Sequence, residues 1–127
     1  MKKKSNSYVN VEFVVPIYNA SVRVIVTDYI PSARAEYDRI YGESPRDDYV
    51  ALCAWSSNGE CALFFERKRL RKSIVAHEIF HLTHRILEWS NGCQFGESNH
   101  EQGAKLCEYL TEKVDDILKN IKLKEKL

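Results

Sequence analysis

The stretch VAHEIFHLTHRILEW, residues 75–89, sets His77 and His81 four positions apart with Glu78 directly after the first, inside an otherwise apolar run of helical spacing. Residues four apart on a helix share a face, with Cβ atoms about 6 Å apart. Two imidazoles so placed can converge on one zinc ion at roughly 2.0–2.1 Å. Glu78 sits about 100° round the helix from His77. That is too far aside to join the ligand plane, but it is within reach of a water on the ion, where a general base must stand. Each letter of HExxH therefore has a chemical task. The bland alternative is a pair of histidines satisfied on a core-facing helix with Glu78 exposed. The position of the motif in mid-helix, directly after a strand, favours the metal.

A catalytic zinc takes three protein ligands and leaves one position open, so a third donor must come from elsewhere. His84 follows on the same face, but a straight helix cannot bend three successive turns round one ion, and His84 reads as a cleft-lining or packed residue. His100 and Glu101 lie together near the start of the last helical segment, after a connection long enough for that helix to fold back antiparallel. Cys93, in the connection, reads as a buried or partly exposed thiol.

The elements that must position these groups divide the chain in two. The first half is β-rich. YVNVEFVV (8–15) alternates in part, 16–21 reads as a turn, and VRVIV (22–26) is a β-branched run. PSARAEYDRIYG (31–42) has a proline start and a glycine stop, and predicts one short helix. DYVALCAWSS and ECALFFERK flank Asn58-Gly59, a strong signal for a two-residue hairpin turn. The second half is helical. One helix is expected from Leu70 to Trp89, ended by SNG (90–92). Another is expected from Glu97 to about Ile121, capped by Ser98 or Asn99, with Cys107, Leu110, Val114, Ile117 or Leu118, and Ile121 as its buried stripe. Residues 1–7 and 122–127 read as frayed tails. Strands followed by helices predict a single α+β domain over 1–127: a small antiparallel or mixed sheet and a short N-terminal helix, then two long antiparallel helices carrying the site.

Composition limits the function classes. The net charge of +1 gives no global drive toward nucleic acid or anionic membrane. RKRLRK (67–72) concentrates positive charge ahead of the metal helix, where cations oppose the helix dipole. It reads as a solvated face, with contact to an acidic peptide or a phosphate backbone as the alternative. Tyr49, Trp55 and Phe64 are able to stack bases, but aromatics in a hairpin more often pack a core. No stretch approaches a bilayer-spanning apolar run, and MKKKSNSYVNVEFVVPIY lacks a signal-peptide cleavage site. The chain reads as cytoplasmic. In the two-residue register Cys61 faces Ser56 and Cys53 faces Phe64, on opposite sides of the sheet, so a 53–61 bridge is not expected. With no CxxC either, Cys53, Cys61, Cys93 and Cys107 read as thiols of a reducing compartment.

HEIFH followed after 19 residues by Glu101 resembles the gluzincin metallopeptidases. HEQGAKLCEYLTEKV is similar to the corresponding helix of small metallopeptidase-like proteins of phages and gut bacteria, through Glu101, Ala104 and Tyr109-Leu110-Thr111. The compact size is also similar to that of the minigluzincins and the ImmA/IrrE-like proteases. The resemblance covers about residues 60–115 and leaves the N-terminal half unmatched. It implies His77, His81 and Glu101 as zinc ligands, with His100 the runner-up to Glu101, and Glu78 as general base. It also implies Ala104 as the small residue that lets the two helices approach. Lys105 stands where many gluzincins carry an aspartate that orients a zinc histidine; Glu108 is either its replacement or a solvated helix residue. The implied reaction is hydrolysis of a peptide bond in a protein or peptide substrate. Tyr109 is the best-placed phenol to stabilise the oxyanion, and His84 and His100 are the imidazole candidates. CALFFE (61–66) occupies the slot of an edge strand along which a substrate can pair, with an interior strand as the alternative. The competing expectations are a proteolytically inactive zinc-binding domain that recognises a protein partner, and a nucleic-acid accessory protein using the basic run.

Overall fold

The computed structural model describes residues 8–43, 49–91 and 99–126. Four strands form one mixed sheet in the order β1-β2-β4-β3, where β1 is Tyr8–Val15, β2 Ala20–Thr27, β3 Ala51–Trp55 and β4 Glu60–Glu66. β1 pairs antiparallel with β2, β2 parallel with β4, and β3 antiparallel with β4. Alternation along each strand separates two faces. Phe13, Val15, Val22, Val24, Val26, Leu63 and Phe65 turn toward the two long helices, α3 (Lys72–Asn91) and α4 (His100–Glu125). Ile25, Ala54, Ala62 and Phe64 turn the other way, onto Ile30 and Ala33. The α+β architecture read from the sequence is the one observed, with a mixed sheet.

The helix expected over 31–42 is two pieces, α1 (Ile30–Ala35) and α2 (Asp38–Tyr41). The break falls at Tyr37, whose φ of −115° and ψ of 16° leave the helical basin. Packing enforces it. Tyr37 sets its ring 6.0 Å from Phe64 and 6.3 Å from Tyr8. Arg34, only 6% exposed, bonds Asp38 at 3.0 Å and the Gly42 carbonyl at 2.6 Å. Tertiary contacts thus override a continuous local propensity.

α4 buries Leu110, Val114, Ile117 and Ile121 as expected, and also Leu106, with Gly103 at its head; Cys107, expected in the stripe, is only partly buried beside it. Asn99 occupies the N-cap position without a side-chain cap bond; Ser98, Glu97 and Cys93 lie outside the described residues. The start of α3 shares a groove with the C-terminal half of α4, so the two run antiparallel. α4 continues through Glu125, so residues 122–125, expected to fray, are helical. Arg67 explains this: its guanidinium bonds Glu125 at 2.7 Å and also Asp28, pinning the last turn to the end of β2. The basic run is thereby partly neutralised. Arg69 meets Glu66 at 3.5 Å, while Lys68, Arg71 and Lys72 are exposed.

The hairpin differs from the two-residue turn expected. Ser56 and Glu60 close it, with Ser56 N donating to Glu60 O at 2.8 Å and Gly59 N to Ser56 O at 3.2 Å. The loop therefore has three residues, ending on Gly59 at φ 79°, the left-handed position such loops require. One extra loop residue moves the register by one, pairing Cys53 with Leu63 and Trp55 with Cys61. Cys53 and Cys61 consequently share the helix-side face, diagonally rather than back to back, and both are free thiols. The Gly59 backbone lies under the Trp89 ring, so close that a Cβ there would meet Cζ2 at 2.5 Å. Trp89 Nε1 also donates to Ser57 O at 3.1 Å. The C-terminal end of α3 is thus seated on the hairpin turn.

Candidate metal centre

α3 turns Ile79, Leu82, Ile86 and Leu87 into the core, and this leaves His77 and His81 on its exposed side. Their Nε2 atoms stand 3.2 Å apart, with ring centroids at 4.8 Å and planes at 73°. Two nitrogens on one tetrahedral zinc are about 3.3 Å apart, given Zn–N bonds of about 2.0–2.1 Å. The helix therefore presents two donors at the spacing the ion needs. His81 is pushed below the usual imidazole range by burial first, then by His77, Arg85 and His84 nearby. The downward shift favours the neutral ring, whose nitrogen lone pair is available to a metal.

Glu78 is buried, 8% exposed, and burial raises its pKa against the opposing pull of His77. It has no hydrogen-bond partner among the described residues. A carboxylate whose proton affinity is raised by burial is the stronger base for it. It opens into a cleft of about 310 Å³ bounded on one side by His77, Glu78, His81 and Arg85 of α3. The other side is Tyr49 and the β3 residues Ala51, Leu52, Cys53 and Trp55. The edge strand at the site is therefore β3. CALFFE, expected in that slot, is β4 and lies between β2 and β3. Its side chains from Cys61 to Phe65 are buried, which is why Phe64, 0% exposed, is closed to any base.

Two cleft residues were missed by sequence reasoning. Arg85 lies four residues beyond His81 on the same helical strip, a spacing that was there to be read. Trp55 was not reachable, because only the three-residue loop turns it to the helix side of the sheet. The Arg85 guanidinium stacks on the Trp55 ring at 3.5 Å from its centroid.

The structure does not bring the remaining predicted residues to the histidine pair. Among the described residues no group of three or more His, Cys, Asp or Glu side chains is placed to share a metal ion. Glu101 and His100 are exposed in the first turn of α4. Tyr109 packs its ring against the core, beside the stripe of Leu106 and Leu110, and does not line the cleft. Ala104 is exposed; the small residue buried at the head of α4 is Gly103, one position back. Lys105 and Glu108 are exposed, and neither bonds His77 or His81. His84 is half-buried, one turn beyond His81. The chemistry and spacing of the two imidazoles fit zinc; a third protein donor is not assembled beside them.

No protein-family model matches the chain, and no curated protein or solved structure matches it significantly. Among the described residues no helix is long and apolar enough to cross a membrane.

Proposed function

We propose that the chain is a zinc-dependent peptidase, with His77 and His81 as ligands, Glu101 as the third ligand and Glu78 as general base. The observation that carries this reading is the 3.2 Å approach of the two Nε2 atoms, with the buried Glu78 carboxylate opening into the same cleft. Zinc held there would lower the pKa of a water toward neutrality. The Glu78 carboxylate takes a proton from the attacking water and returns it to the leaving amine. The outer edge of β3, unpaired among the described residues, offers backbone groups along which an extended peptide can lie across α3. Glu101 enters through its resemblance to the gluzincin ligand, and its exposure makes it the assignment to test first. The free thiols of Cys53, Cys61 and Cys107 support a reducing, cytoplasmic setting.

The test is zinc content by elemental analysis, with cleavage of casein and of a mixed peptide library. Wild type should hold one zinc per chain, and His77→Ala or His81→Ala should lose it. Glu101→Gln should weaken zinc binding about tenfold or more. Glu78→Gln should keep the metal and lose roughly 10²–10⁴-fold in rate. A wild-type chain without stoichiometric zinc would overturn the proposal, and full zinc affinity in Glu101→Gln would remove that residue from the ligand set. The exposure of Glu101 favours one second reading, a proteolytically inactive zinc-binding domain that recognises a protein partner. A zinc-loaded wild type with no cleavage of any library member selects it.

A further inference from the structure

Arg85 is the charged cleft residue to which the peptidase reading gives no task. Its guanidinium sits over the Trp55 ring, with Cζ 3.5 Å from the centroid, well within cation–π range. Nη1 donates to Glu88 at 3.2 Å, one turn on, which fixes the rotation of the plane. The opposite edge, Nε and Nη2, has no partner among the described residues. That edge is a two-pronged donor of the geometry that grips a carboxylate. Arg85 lines the same cleft as His77, Glu78 and His81. It stands one helical turn past His81, a rise of about 6 Å along α3, and an extended peptide advances about 3.3 Å per residue. A carboxylate seated on Arg85 thus falls within about two residues of the histidine pair.

Resting on the peptidase reading, we infer that Arg85, held over Trp55, selects peptide substrates carrying a carboxylate within about two residues of the bond cleaved. The carboxylate is either the chain terminus or an acidic side chain, and Trp55 acts as a positioning residue that keeps the guanidinium aimed.

Binding is read apart from turnover. Acetyl-Ala-Ala-Ala-Ala with a free C-terminal carboxylate, the same peptide as its amide, and acetyl-Ala-Ala-Glu-Ala amide are titrated into the full chain by calorimetry. Each titration is run with chelator present and again with one equivalent of zinc. On wild type at least one carboxylate peptide should bind about tenfold or more tighter than the neutral amide. A preference for the first assigns the terminus, and a preference for the third assigns the side chain. Arg85→Gln should abolish the preference. Arg85→Lys should keep only part of it, because an ammonium neither forks nor stacks flat. Circular dichroism shows whether each variant folds. Equal or absent binding of all three peptides to wild type, or a preference surviving in folded Arg85→Gln, overturns the inference. A wild type that prefers the carboxylate but never cleaves loses the reaction and keeps the Arg85 site. One that cleaves without preference loses the Arg85 site and keeps the reaction.

Discussion

Replacing Gly59 with alanine probes the joint that sets the cleft. Gly59 has φ 79°, and an alanine held there carries a left-handed penalty of about 1–2 kcal/mol. Its Cβ would also stand 2.5 Å from Trp89 Cζ2 and 2.7 Å from Cη2, so the indole must move. The ring is 40% exposed but tied by its Nε1 bond to Ser57 O, and displacing it costs about 1–3 kcal/mol. The expected loss is therefore about 2–5 kcal/mol, or roughly 8–18 °C in Tm for a chain of this length. Urea denaturation of Gly59→Ala, Trp89→Leu and the double variant separates the two contributions. With the indole gone, only the torsional part of about 1–2 kcal/mol should remain, leaving a coupling of about 1–3 kcal/mol between the positions. A coupling below about 0.5 kcal/mol would refute the claim that the Trp89 ring demands glycine at this turn.

Glu78→Gln should change how the metal-free chain responds to pH. Burial raises the folded pKa, so the folded state holds this proton more tightly than the unfolded state. Wild-type stability must then fall as pH rises from the ordinary carboxylate range through the raised value, and urea midpoints of the glutamine variant should lack that slope. Cys53 and Cys61 should resist iodoacetamide at pH 8 until the chain is unfolded, since burial pushes the Cys61 thiol up to about 12 and Cys53 higher still; mass spectrometry of early labelling at either site would contradict this. Arg67→Ala should cost about 1–2 kcal/mol, because it frees both Asp28 and Glu125. It should also raise hydrogen exchange in the last turn of α4, an effect shrinking as salt is added.

What was legible in the chain is what short-range periodicity encodes. The spacing of His77 and His81 fixed both donors on one side of a helix, and the α4 stripe from Leu110 to Ile121 is buried as read. β1 and the α+β arrangement followed from alternation in the same way. The failures are long-range. Nothing local in CALFFE says that β2 will pair along it, and that pairing makes β4 interior and hands the edge to β3. Nothing local in SSNG distinguishes a two- from a three-residue loop, since both accept Asn-Gly; the shift of one then carried Cys53 and Trp55 to the other face. Glu101 and Tyr109 rest on a resemblance in sequence, to which periodicity does not speak; Glu101 is exposed in the first turn of α4 and Tyr109 packs against the core.

The Trp89–Gly59 joint has a bearing on what the cleft admits. His77 is twelve residues from Trp89 along α3, a lever of about 18 Å. Clamped at that far end to the turn of the very hairpin whose outer strand forms the opposite wall, the helix cannot swing away from β3 without tearing its own fastening. Any widening of the aperture must therefore disturb this joint. Loosening the distant fastening should broaden what the slot accepts while leaving every group inside it unchanged.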